Sequence, residues 1–241
     1  MHRLSATFQG KTILVAGGTG GLGRSVSLAF LEAGAIVAAT YRNEEELAAL
    51  TRAAGDSRSR LSGHAVDVTD EAAAQGLAAT LVARHGRIDA LVNAVGGYTG
   101  GAKLWEADAG AFDAMLTRNL RAGVALCRAI VPEMLRKRGG AIVNVASRSA
   151  VAPGPREAAY AASKAAAVAM IASLAEDLKG TGIRANSVLP SIIDTEANRR
   201  AMPNADFSKW PKPEDIARVI LFLCSDDARL VHGAAIPVYG A

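Results

Sequence analysis

Apolar residues in this chain fall into short runs separated by longer stretches of helical character. Thr12-Ile13-Leu14-Val15-Ala16 is the first such run, rich in β-formers and free of charge. Comparable runs recur near 36–40, 63–66, 88–92, 141–145, 183–188 and 235–239. A short apolar run bounded by turn residues fits a strand buried on both faces. The stretches between them, near 21–33, 44–54, 70–84, 108–137, 157–179 and 213–224, are amphipathic or alanine-rich and predict helices. Pro132 interrupts the longest of these and predicts a kink there. Strand and helix alternate over the whole length, which predicts an α/β fold with a doubly wound parallel sheet. About seven strands would form it, with helices on both faces. A chain of 241 residues suits one domain over 1–241, with a core large enough to fold alone.

Composition removes several function classes. Lys and Arg exceed Asp and Glu by 27 to 23, a mild excess spread along the chain. The densest basic run, Arg136-Lys137-Arg138, falls near a predicted helix end, where cations complement the dipole. No basic surface interleaved with aromatics is evident, so no nucleic-acid partner is expected. The longest nearly apolar run, 165–175, is short and alanine-rich, so no membrane span is expected. Met1-His2-Arg3-Leu4-Ser5 lacks an apolar signal core, and a soluble cytoplasmic location is the expectation. Cys127 and Cys224 lie in apolar helical stretches and read as small buried hydrophobes. His2, His64, His85 and His232 lack metal-ligand spacing, so no metal site is expected.

The chemistry begins at Tyr160-Ala161-Ala162-Ser163-Lys164, with Ser147 thirteen residues upstream of the tyrosine. Residues four apart share a helix face, so phenol and ammonium can point into one cleft. A free phenol has a pKa of about 10 and does little acid–base work at neutral pH. A neighbouring cation favours the phenolate and is expected to lower that value. Tyr160 would then exchange a proton with a carbonyl or hydroxyl oxygen, and Ser147 would hydrogen-bond the same oxygen.

A second signal lies after the first strand. Gly17-Gly18-Thr19-Gly20-Gly21-Leu22-Gly23 joins it to a helix, with another strand following at 36–40. Glycines there allow a tight turn and close backbone approach to a pyrophosphate at the helix N-terminus. Gly17, Asp67, Asn93, Ser147 and Pro190 all fall at or just after predicted strand ends. Ligands of such sheets bind at that rim, so five scattered motifs converge on one site.

Together these residues resemble the short-chain dehydrogenase/reductase family from about Gly10 to Gly240. Gly17-x-x-x-Gly21-x-Gly23 resembles the family's dinucleotide turn, and Asp67-Val68 its adenine-contacting pair. Asn93-Ala94-Val95-Gly96 resembles its N-N-A-G strand end, and Asn119 its helix asparagine. Ser147 matches the catalytic serine, and Tyr160-x-x-x-Lys164 the catalytic pair. Pro190-Ser191-Ile192-Ile193-Asp194-Thr195 resembles the P-G-x-I-x-T segment beside the nicotinamide. The chain departs from the pattern at Ala16, Ala94, Ser191 and Ala241, none of which removes a reacting group.

The resemblance implies a Rossmann-type sheet of order 3-2-1-4-5-6-7 and reversible hydride transfer between nicotinamide and a carbonyl or secondary alcohol. Ser147, Tyr160, Lys164 and Asn119 would be catalytic, with Lys164 holding the nicotinamide ribose and Asn119 a water. Gly17, Thr19, Gly20, Gly21 and Leu22 would surround the pyrophosphate. Asp67, Val68, Asn93, Ala94 and Gly96 would follow the adenosine towards the nicotinamide, and Pro190, Ile193 and Thr195 would meet its far end. Tyr160 and Lys164 would also contact the dinucleotide. The second strand ends at Tyr41-Arg42 without the acid that would bind ribose hydroxyls. A guanidinium pairs well with phosphate, which favours NADP(H) over NAD(H), with Arg24 a second phosphate candidate. Residues 196–210 would form a short substrate lid, and Ala150, Val151, Tyr98, Met202 and Trp210 are candidate lining residues. The alanine-rich helix 157–179 would join a two-fold interface, giving a homodimer or homotetramer. A non-catalytic NADP-binding sensor on the same fold is the competing reading. A sugar-nucleotide epimerase or dehydratase would need more chain after Thr195.

Overall fold

The computed structural model describes residues 7–240; residues 1–6, His2 among them, and Ala241 lie outside the described residues. The chain begins with β1 (Thr12–Ala16), α1 (Gly21–Glu32), β2 (Ile36–Tyr41), α2 (Glu44–Ala53), β3 (Leu61–Ala65) and α3 (Glu71–His85). It continues with β4 (Ala90–Asn93), α4 (Ala109–Leu116), α5 (Ala122–Lys137), β5 (Gly140–Val145) and α6 (Ala158–Asp177). It ends with β6 (Ile183–Pro190), α7 (Glu196–Ala201), α8 (Pro213–Cys224) and β7 (Ala235–Val238).

The strands form one seven-stranded sheet of order β3-β2-β1-β4-β5-β6-β7, all neighbours parallel. This is the doubly wound order the motifs implied. β1 is wholly buried because both of its faces are covered. Leu14 and Ala16 pack with α3, α5 and α6 on one face, while Ile13 and Val15 pack with α1 and α8 on the other. Each such Leu, Ile or Val contributes roughly 1.5–3 kcal/mol by leaving water. β3 starts at Leu61, earlier than the sequence suggests, because Leu61 pairs with Val37. As an edge strand carrying Gly63 and His64, it has a weak apolar pattern.

Local signals set the helix ends. Asn43 caps α2 by accepting from Glu45 N, and Asp70 caps α3 by accepting from Ala72 and Ala73. The predicted helix over 108–137 is divided. The break lies in a π turn over Thr117–Arg121, and α5 runs on through Pro132 to Lys137. A π turn inserts one residue into the helical register, and such turns gather at functional sites. Here it carries Asn119. α6 has twenty residues and a mean hydropathy high enough, by length and composition, to cross a membrane. It forms the crossover between parallel β5 and β6, and buries Ser163 and Lys164.

Candidate active site

The Gly-rich turn is tight enough to dictate its own residues. Gly17 has φ of 71°, the left-handed region that glycine adopts freely. A Cβ on Gly23 would stand 2.0 Å from the Gly17 carbonyl oxygen, so only glycine fits where the helix returns over the turn. Gly17 N donates to Thr40 Oγ1 at 2.8 Å and Gly18 N to Thr40 O at 3.1 Å, tying the turn to β2. A Cβ on Gly21 would stand 2.8 Å from Thr195 Cγ2, so the segment after β6 rests against the start of α1.

Beside this turn runs a groove of about 570 Å³. Of the residues expected from sequence, Gly17, Thr19, Gly20, Tyr41, Arg42, Asp67, Val68, Ala94 and Gly96 line it. Arg24 is exposed on α1 and does not line it. Gly21 and Thr195 meet at the start of α1. Leu22 and Ile193 belong to the core packed around α1 and α8. Pro190 ends β6. Asn93 is buried: its Nδ2 donates to Asn144 Oδ1 at 2.9 Å, and its Oδ1 accepts from Val95 N.

Asp67 does not cap α3. Its carboxylate accepts from Thr69 N at 2.9 Å and Thr69 Oγ1 at 2.8 Å, which together with nearby Arg42 hold its pKa below the usual range. Tyr41 donates its hydroxyl to Glu44 at 2.8 Å. The sequence did not single out the other charged groups of the groove, Glu46, Asp113 and Arg118. Glu46 accepts from Thr19 Oγ1 at 2.9 Å. Arg118 lies over Gly97, where a Cβ would come 2.5 Å from its Nη1. Its place directly before Asn119 was the one pointer to it.

The groove leads to the reacting groups at Gly96, where a Cβ would stand 3.0 Å from both Asn119 Oδ1 and Lys164 Nζ. Asn119 is hydrogen-bonded through both its amide oxygen and its amide nitrogen. Its Oδ1 accepts from Gly97 N at 2.9 Å, and its Nδ2 donates to Gly97 O at 3.1 Å and Ser163 Oγ at 2.9 Å. Lys164 is buried, donates from Nζ to Val145 O at 2.9 Å, and has its pKa lowered by burial to about 8. Ser147 follows β5 and accepts from Ser149 N at 3.1 Å. The Tyr160 ring meets Tyr98 edge-on, with centroids 5.0 Å apart.

One expectation is reversed. Burial raises the Tyr160 pKa above its ordinary value, opposed by a hydrogen bond with Ser147 and reinforced by Glu157 and Tyr98. Lys164 is not among the groups that set this direction; its ammonium donates to the Val145 carbonyl and is itself disfavoured by burial. Tyr98, beside the tyrosine, is exposed, and so are Val151 just after Ser147 and Ile192 just after β6. Trp210 packs on Phe207, with centroids 4.9 Å apart, in the segment expected to form the lid. Two cysteines are free and no metal-ligand cluster occurs among the described residues.

Residues 11–206 match the family model for short chain dehydrogenase. The 3-oxoacyl-[acyl-carrier-protein] reductase of Thermotoga maritima is 33% identical over 96% of this chain and 97% of its own length. D-threitol dehydrogenase of Mycolicibacterium smegmatis is 35% identical over 96% and 92%. A short-chain dehydrogenase/reductase structure from Mycobacterium ulcerans superposes with a TM-score of 0.92 at 27% identity, over 97% of this chain and 90% of that one. The structure of ElxO with NADP bound superposes with a TM-score of 0.90 at 26% identity, over 95% and 97%. The chain belongs to the short-chain dehydrogenase/reductase family, and is an NAD(P)-dependent oxidoreductase acting on CH–OH or carbonyl groups.

Proposed function

We propose that this protein is an NADP-dependent reductase of ketones or 3-oxoacyl groups, working reversibly between carbonyl and secondary alcohol. The observation that carries the reading is the meeting of Lys164 and Asn119 at Gly96, which lines the groove, with Tyr160 one turn before Lys164 on α6 and hydrogen-bonded to Ser147. A dinucleotide fits the residues present. The Gly17–Gly23 turn leaves bare backbone where a pyrophosphate would lie, and side chains at Gly17, Gly21, Gly23 or Gly96 would crowd their neighbours. Arg42, with no acid at Tyr41, supports a 2′-phosphate and so NADP(H). When bound, the nicotinamide supplies or accepts the hydride.

The chain's own groups handle the oxygen. Tyr160 donates its phenolic proton to the carbonyl oxygen during reduction and accepts it back during oxidation. Ser147 holds that oxygen by a hydrogen bond. Lys164, at Gly96, would hold the nicotinamide ribose, and Asn119 would keep the Gly97 backbone in place and position a water. Tyr98, Val151 and Ile192 suit an apolar substrate, and residues 196–210 would close over it. Exposed Ala162, Ala169 and Ala172 form a small-residue stripe on α6 that suits a two-fold homodimer or homotetramer, in a protein of the cytoplasm.

The test is the initial rate of NADPH oxidation, with NADH alongside, over a ketone and oxoacyl panel. Tyr160→Phe should lower turnover at least about 100-fold, the usual contribution of a positioned general acid. Undiminished turnover in that variant would refute Tyr160 as the acid. Tight NADPH binding without turnover on any carbonyl would instead favour the sensor reading.

A further inference from the structure

We propose that Glu46 limits the groove's preference between the two nicotinamide dinucleotides. Its carboxylate would accept a ribose hydroxyl of NADH and oppose the 2′-phosphate of NADPH. The inference rests on the groove holding a dinucleotide. β2 ends without an acid, and the Tyr41 hydroxyl is already turned to Glu44. Glu46 reaches back from the first turn of α2 to Thr19 in the Gly-rich turn, with Oε2 2.9 Å from the hydroxyl, and lines the groove together with Arg42. The acid missing from the strand end is thus supplied by the following helix.

The other carboxylates suit this task less well. Asp67 is bound twice by Thr69, and Asp113 stands on α4 rather than beside the Gly-rich turn. Among the described residues, Glu46 makes only the Thr19 bond, which leaves its second oxygen free. An ionised carboxylate is an acceptor with about four lone-pair sites. It can accept a hydrogen bond from a ribose hydroxyl. An ionised phosphate offers it no proton, and the two charges repel. Arg42 has the opposite bias, so the groove carries two opposed determinants and a compressed selectivity.

The experiment is direct titration of NADPH and NADH by calorimetry, without substrate, on wild type, Glu46→Gln and Glu44→Gln. Glutamine keeps the length of the side chain and an acceptor for Thr19, and removes the charge. Glu44→Gln makes the same charge change two residues away, at a residue outside the groove lining. In Glu46→Gln, NADPH should bind about tenfold tighter and NADH several-fold weaker, in line with a lost charged hydrogen bond. The NADPH gain should shrink with added salt. Glu44→Gln should leave the ratio near that of wild type. An unmoved ratio in Glu46→Gln, or an equal shift in Glu44→Gln, overturns the role of Glu46 alone. Failure of wild type to bind either dinucleotide overturns the reading of the groove itself.

Discussion

Replacing Lys164 by methionine should make the protein more stable at neutral pH while abolishing its turnover. Lys164 is 5% exposed, and its ammonium holds one hydrogen bond to Val145 O and has no carboxylate partner among the described residues. Burial lowers its pKa from 10.5 to about 8, and that gap corresponds to about 3 kcal/mol. At pH 7 the lysine is protonated in both states, so the folded state carries the full cost. From about pH 8 to 10.5 the unfolded chain alone holds the proton, and unfolding free energy climbs with pH. Above that window both states are neutral and the cost has gone. Methionine removes the charge but leaves the Val145 carbonyl without its donor, a loss of about 1–2 kcal/mol. The net gain at pH 7 is then about 1–2 kcal/mol, or ~3–6 °C in Tm for a domain of this size. Urea unfolding of both proteins at pH 7 and pH 10 isolates this group, because other titrations cancel in the difference. The advantage of the variant should vanish by pH 10. A gap that stays constant with pH, or a variant less stable at pH 7, would refute the argument.

Two further outcomes follow from packing and capping. Gly23→Ala drives a Cβ against the Gly17 carbonyl, 2.0 Å from its oxygen, and neither side of that contact is a flexible side chain. It should cost about 3 kcal/mol or more in chemical denaturation and abolish dinucleotide binding; wild-type values for both would sink the steric account. Asp70→Ala deletes the acceptor for Ala72 N at 2.8 Å and Ala73 N at 3.1 Å. It should lower stability by about 1 kcal/mol with kcat unchanged, and an unaltered melting curve would show the cap to be idle.

Strand order and the groove were readable because they depend on local chemistry repeated at strand ends. Gly17, Asp67, Ala94 and Gly96 each follow an apolar run, and the parallel topology carries all four to one rim. The π turn at Thr117–Arg121 was not readable, since α and π turns share their apolar pattern over so few residues. Pro132, the obvious breaker, lies inside a helix that continues past it. Glu46 was hidden for another reason. Glu44-Glu45-Glu46 reads as three acids placed to suit the dipole of α2, and only the packing of that helix shows which one meets Thr19. The direction of the Tyr160 shift was missed because spacing puts a cation nearby but says nothing of how deeply both groups are buried.

The order of the strands also shapes how the chain assembles during synthesis. β1, the first strand made, lies between β2 and β4, so its second edge stays bare until residue 93 has emerged. β5, β6 and β7 then add outward in the order they are translated, each offering an unpaired edge to the next. Growth stops at β7, a four-residue strand whose Pro237 has no N–H to donate, which makes it a poor template for another chain. The nascent protein is thus most exposed to mispairing while its centre waits for β4, and best protected once its last strand is in place.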